Sequence, residues 1–155
     1  MKAEDKRRTR SVARLYAVQA LFQMEAAGTS VDTVSREFET HRFGEVIDEA
    51  EMAEGHVDLF RKITSEAVNH QGRIDQMTDR ALVAKWPIGR IDPTLRALFR
   101  AAGAELVATD TPPKVVITEY LSIAEAFYPE GREKAFVNAV LDHMARDARP
   151  EAFAG

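Results

Sequence analysis

Apolar positions along this 155-residue chain recur at three- and four-residue intervals almost from end to end. Val12, Leu15, Tyr16, Gln19 and Phe22 keep the spacing of one helix face. They predict a first helix from about Arg7 to Ala27, with Gly28 as its stop. Gly28-Thr29-Ser30 reads as a turn, and Thr29 or Ser30 can cap a short helix bearing Val31, Val34 and Phe38. Glu39 to Gly55 is acidic and weakly patterned, a loop or the solvated lead-in to the next helix. From His56 the period returns with Val57, Phe60, Thr64, Ala67 and Val68, and Gly72 punctuates it. Ile74, Met77, Ala81 and Leu82 form a further helix ending near Trp86-Pro87, because Pro87 cannot continue it. Asp92 before Pro93 is the clearest start signal, an N-cap followed by a proline suited to N1. Leu95, Leu98, Phe99, Ala102 and Leu106 then share a stripe.

The stretch TDTPP stops that helix and launches another with Ile117, Tyr120, Leu121, Ala124 and Phe127 inside. Its KVVIT run is β-branched, but the two prolines before it and the helical spacing after it favour a helix. YPEGR is a turn, and the last helix turns Phe136, Val137, Val140, Leu141 and Met144 inward. Asn138, set in that apolar helix, is expected to be a satisfied buried amide, with Asp142 one turn on as a partner. No strand and no internal repeat survive this pass. The pattern predicts an all-α fold, a compact bundle of about six or seven helices in one domain over residues 1–155. Residues 1–6 are expected to form a mobile basic arm and residues 147–155 a loose tail.

Composition narrows the function. There are no cysteines, which removes disulfides and thiolate metal sites, and no apolar run approaches a membrane span. The N-terminus lacks the apolar core of a secretory signal, so a cytoplasmic protein is expected. His41, His56, His70 and His143 show no metal-ligand spacing, and no phosphate loop, dinucleotide loop or nucleophile elbow occurs. No catalytic residue, metal or cofactor is expected.

Charge changes the picture more. The formal net charge is -4, yet Lys2, Lys6, Arg7, Arg8, Arg10 and Arg14 crowd the first fourteen residues against Glu4 and Asp5. On a helix Arg7, Arg10 and Arg14 fall on one face, where each guanidinium can fork onto phosphate oxygens. Cations near a helix N-terminus oppose the macrodipole, so stability alone does not explain them. Two readings stand: a solvated charged start, or a grip on a polyanion such as RNA. Single-stranded RNA would also need stacking groups. Phe22 lies on the same helix and could stack on bases or pack in the core; Lys114 beside the prolines could add a phosphate contact.

Three stretches resemble the NusB family: RRTRSVARLYAVQALFQME, RIDPTLRALFRAAGAELVATDTPPKVVITEYLSIAEAF and KAFVNAVLDHMA. The match covers the chain in order and spacing, except for an unspecific part from about Thr29 to Arg80. The resemblance implies two packed helical sub-bundles and a non-enzymatic bacterial transcription antitermination factor. It implies binding to the boxA element of ribosomal RNA transcripts together with NusE, in a larger complex with NusA, NusG and RNA polymerase, and a possible homodimer. It puts RNA on Lys6, Arg7, Arg8, Arg10, Arg14 and Phe22, extended by Lys114 and Arg132. It puts NusE on the middle helices, with Arg80, Trp86, Arg90 and Arg96 as candidates. Phe22 stands where members often carry Tyr, Thr118 for Asn, Glu125 for Lys and Ala139 for Gly. Two rival readings are a helical interaction module that binds no RNA, and the RNA-recognition domain of a ribosomal RNA methyltransferase. Nothing resembling a Rossmann unit follows in this chain to support the second.

Overall fold

A computed structural model describes residues 3–41, 50–82, 91–131 and 133–154. They form seven α-helices and no strand: α1 Ala3–Ala27, α2 Val31–His41, α3 Ala50–Asn69, α4 Gln71–Ala81, α5 Pro93–Ala108, α6 Pro113–Phe127 and α7 Lys134–Ala148. A short 3₁₀ turn, Pro150–Phe153, follows. α1, α2 and α3 pack on one another, and α4, α6 and α7 pack around α5. α5 also lies against α1 and α3, so it joins the two sub-bundles.

Local signals account for most boundaries. Gly28 takes a φ of 67°, the left-handed conformation a helix stop favours, and the Ser30 hydroxyl accepts from the Thr33 N–H at 3.2 Å. Asp92 accepts from the Thr94 N–H at 2.7 Å with Pro93 opening α5. α6 begins at Pro113 directly after Pro112, and Gly131 turns at φ 78° ahead of α7.

Some expectations fail for identifiable reasons. Gly72 is not the break between α3 and α4; the junction is His70, and Gly72 lies inside α4. α3 starts six residues before His56, because Ala50, Glu51, Met52, Ala53 and Glu54 are strong helix formers that tolerate one glycine at Gly55. The backbone is already helical from Ala3, so most of the expected basic arm continues α1. Most of the expected C-terminal tail takes regular structure: α7 runs to Ala148, Pro150–Phe153 forms the 3₁₀ turn, and the Arg146 guanidinium stacks 4.5 Å from the Phe153 ring centre.

The buried face of α1 differs from the expected stripe. Ala13, Ala17, Val18, Ala20 and Leu21 are buried, while Val12, Leu15, Tyr16 and Gln19 are only half-buried. α1 is enclosed by α2, α3 and α5, and small alanines let those neighbours approach. α5 is buried nearly all round, from Leu95 to Leu106, as a helix at the centre of a bundle must be. A Cβ added at Gly103 would collide with the Ile74 side chain, so this glycine sets how closely α4 lies on α5. Asn138 is exposed, contrary to expectation: α7 presents Val137, Val140, Leu141 and Met144 to the core and turns Asn138 to solvent.

Candidate nucleic-acid interface

The arginines predicted to share a face of α1 do so, but not at one depth. Arg7 and Arg10 are exposed. Arg14, one turn further on, is 3% exposed and enters the protein. Its Nε donates to Glu105 Oε1 at 2.6 Å and a terminal nitrogen to Glu105 Oε2 at 3.1 Å, a forked pair across α1 and α5. Its other terminal nitrogen donates to Glu119 Oε1 on α6 at 3.1 Å. Tyr120 donates its hydroxyl to Glu105 Oε1 at 2.8 Å, and the Ser11 hydroxyl lies 3.1 Å from both Glu119 carboxylate oxygens. Burial alone would lower the Arg14 pKa; the hydrogen bond and charge of Glu105 outweigh it and hold the guanidinium above its ordinary value. Burial, reinforced by the Glu105 charge, pushes the Tyr120 phenol well above its ordinary value. Arg14 is therefore no solvent-facing phosphate ligand but the anchor that fixes α1 on α5 and α6.

Above the anchor, Arg7 and Arg10 border a groove of ≈ 600 Å³ between α1, α3 and the turn linking α5 to α6. Asp58 and Leu59 of α3, Asp110, Thr111, Pro112, Val115 and Glu119 line the rest of it, together with Arg14 itself. Lys114 is exposed in the first turn of α6, beside Val115. Arg8 is exposed on another side of the helix. Lys6 lies in α1.

The other end of α1 borders a second, mainly apolar groove of ≈ 480 Å³. Phe22, 38% exposed, lines it with Phe38, Phe127, Val18 and Gln19. Phe22 is thus not a core residue. The Gln19 Oε1 atom is buried with no donor among the described residues. Both grooves lie along one helix, with Arg10 and Phe22 separated by about 18 Å of helix rise.

The middle-helix residues diverge. Arg96 is mostly covered and tied to Glu25 at 2.5 and 3.1 Å, fastening α5 to α1. Arg100 grips Asp75 through two 3.0 Å bonds, fastening α5 to α4. Arg80 is exposed and pairs with Asp147 at 2.8 Å. Trp86, Arg90 and Arg132 lie outside the described residues. Sequence reading placed Tyr120 inside its helix but missed Glu105 and Glu119 as partners of Arg14. An acid inside the otherwise apolar run AAGAELVA was the available signal, since a buried carboxylate demands a partner.

Among the described residues no helix is long and apolar enough to cross a membrane, and no three His, Asp or Glu side chains converge as a metal site.

The model of the NusB family matches residues 11–146. The chain belongs to the NusB family. It is 43% identical over 152 residues to the transcription antitermination protein NusB of Maricaulis maris, covering 97% of this chain and 94% of that protein. To the NusB of Caulobacter vibrioides it is 45% identical over 141 residues, covering 90% and 94%. Its role is that of a transcription antitermination factor, not an enzyme. Among solved structures, T. maritima NusB superposes with a TM-score of 0.68 at 29% identity, covering 93% of this chain and 96% of that one. A NusB solved with NusE and double-stranded RNA shares the fold, with a TM-score of 0.73 at 23% identity over 90% of this chain and 98% of that one.

Proposed function

We propose that this NusB-family protein binds the boxA element of ribosomal RNA transcripts together with NusE, and so supports processive transcription and ribosomal RNA maturation. The observation that carries this reading is the pair Arg7 and Arg10, exposed on successive turns of α1 and without an ion pair among the described residues. Two exposed guanidiniums beside a groove are suited to phosphates; Lys114 widens the positive surface there, and Arg8 carries it to another side of α1. The aromatic groove at Phe22 and Phe127 offers the stacking faces that unpaired bases need. A NusB of the same fold has been solved with NusE and RNA, which favours the same pair of partners here.

In this reading the protein works in the cytoplasm within a complex that includes NusA, NusG and RNA polymerase. Arg14 supports the RNA surface from below rather than touching RNA. Arg80 is the exposed one of the two described middle-helix candidates for NusE, whereas Arg96 is committed to Glu25. A homodimer that covers the RNA face would compete with these partners.

The test is a titration of boxA-type single-stranded RNA at several salt concentrations, with and without NusE. Parent protein is compared with an Arg7→Glu/Arg10→Glu variant. Binding that weakens with salt and is largely lost in the variant is the expected result. Equal affinity for both proteins would remove these arginines from the interface. No binding by the parent at any salt, alone or with NusE, would favour a purely protein-binding module.

A further inference from the structure

Arg149, at the end of α7, makes four hydrogen bonds that no helix requires of it. Its Nε donates to the Leu106 carbonyl at 2.8 Å, and one terminal nitrogen to that of Thr111 at 2.6 Å. The other terminal nitrogen donates to the carbonyls of Glu105 at 2.9 Å and Thr109 at 2.6 Å. These acceptors are the last carbonyls of α5 and those of the turn leading to α6. A helix end leaves such carbonyls without partners in its own backbone. The Glu105 carbonyl also accepts from the Thr109 N–H at 3.3 Å, whereas Pro112 and Pro113 carry no N–H to offer the turn. A guanidinium placed there also sits favourably at the negative end of the α5 dipole.

The clamped turn is one wall of the groove beneath Arg7 and Arg10. Asp110, Thr111 and Pro112 line that groove, and Lys114 follows at once. Arg149 itself is not among the residues lining it. Within the turn, the Thr109 hydroxyl donates to the Glu105 carbonyl at 2.7 Å and accepts from the Thr111 N–H at 3.3 Å.

We infer that Arg149 is a positioning residue for RNA binding, holding the α5–α6 turn so that the groove and Lys114 are set against the α1 arginines. This inference rests on the RNA-binding reading above. Only arginine suits the task. Its flat fork reaches four carbonyls spread over seven residues, whereas a lysine ammonium is a single point with three donors.

The experiment compares parent, Arg149→Lys and Arg149→Gln for boxA-type RNA affinity over a range of salt, with folding followed by circular dichroism. Both variants are expected to bind about tenfold more weakly, equivalent to roughly 1.4 kcal/mol, with the salt slope of the parent. A direct phosphate contact predicts something else: full affinity in the lysine variant and a shallower slope in the glutamine one. That result, or unchanged affinity in both, overturns the inference. Thr109→Val, which cuts the turn's own hydroxyl links and leaves Arg149 in place, serves if the Arg149 variants do not fold. A smaller loss at unchanged slope supports positioning, and no loss overturns it. If the parent binds RNA and the variants match it, only this inference fails; if the parent binds none, the RNA reading falls with it.

Discussion

Arg10 and Arg14 are the same residue type, four positions apart on the same helix, and they do opposite work. Arg10 stands in solvent beside a groove; Arg14 is sealed between Glu105 and Glu119. Helical spacing reports direction around an axis and not depth. As α1 packs down onto α5, with α6 alongside at the level of Arg14, the third arginine of the stripe goes under the surface. There a charge survives only with partners of opposite sign and a full set of hydrogen bonds. The lesson is that a basic stripe can be part ligand site and part foundation.

The sharpest way to break this comparison is to remove the buried member. Arg14→Ala leaves Glu105 uncompensated in the core and should cost about 3–5 kcal/mol of stability, read by thermal or urea unfolding. Arg7→Ala or Arg10→Ala should stay within about 0.5 kcal/mol of the parent in the same measurement. A similar loss at all three positions would erase the distinction.

Next comes the partner of the anchor. Tyr120→Phe removes one hydrogen bond to Glu105 and should cost about 1–2 kcal/mol at neutral pH. It should also flatten the alkaline limb of the stability curve. The folded state holds the Tyr120 proton after the unfolded chain has released it. Stability therefore falls as pH rises from about 10, the ordinary phenol value, and this part of the fall is lost in the variant. Identical alkaline unfolding in both proteins would argue against a buried, carboxylate-bound phenol.

On the solvent side the effects are in binding, not stability. Each of Arg7→Ala and Arg10→Ala should reduce the salt slope for single-stranded RNA by about 0.7, one phosphate's share. Smallest of all, Asp58→Asn with Asp110→Asn should strengthen RNA binding a few-fold at low salt and leave it unchanged at high salt, because these exposed carboxylates are screened. Weaker binding by that variant would mean that the aspartates accept from RNA rather than repel it.

Much of the fold was legible. Asp92-Pro93, Gly28, Pro112-Pro113 and Gly131 are local chemistry, and local chemistry is written in consecutive residues. Spacing put Arg7 and Arg10 on one face, but it also put Phe22 in the core-facing stripe, whereas the helix leaves it 38% exposed at a groove. The depth of Arg14 was not legible, since it depends on Glu105, 91 positions away, and no periodicity links two such residues. Asn138 misled because an amide among Val137, Val140 and Leu141 looks buried in the sequence, although the helix turns it outward. The tail misled for a third reason. Arg149 and Phe153 gain their place only from α5 and α7, and a segment without a stripe of its own gives no sign of that.

Glu105 ties these distances together in time as well as space. Its side chain receives residues 14 and 120, and its carbonyl receives residue 149. Synthesis proceeds from the N-terminus, so the basic helix emerges from the ribosome long before the turn that completes its groove can be clamped. Chain entropy must be given up over these long separations before the contacts reward it. A nascent or C-terminally clipped molecule thus carries its positive charge on an unfinished platform. On the inference drawn for Arg149, the groove takes its final geometry only once α7 has formed, which makes the end of that helix a checkpoint for the first.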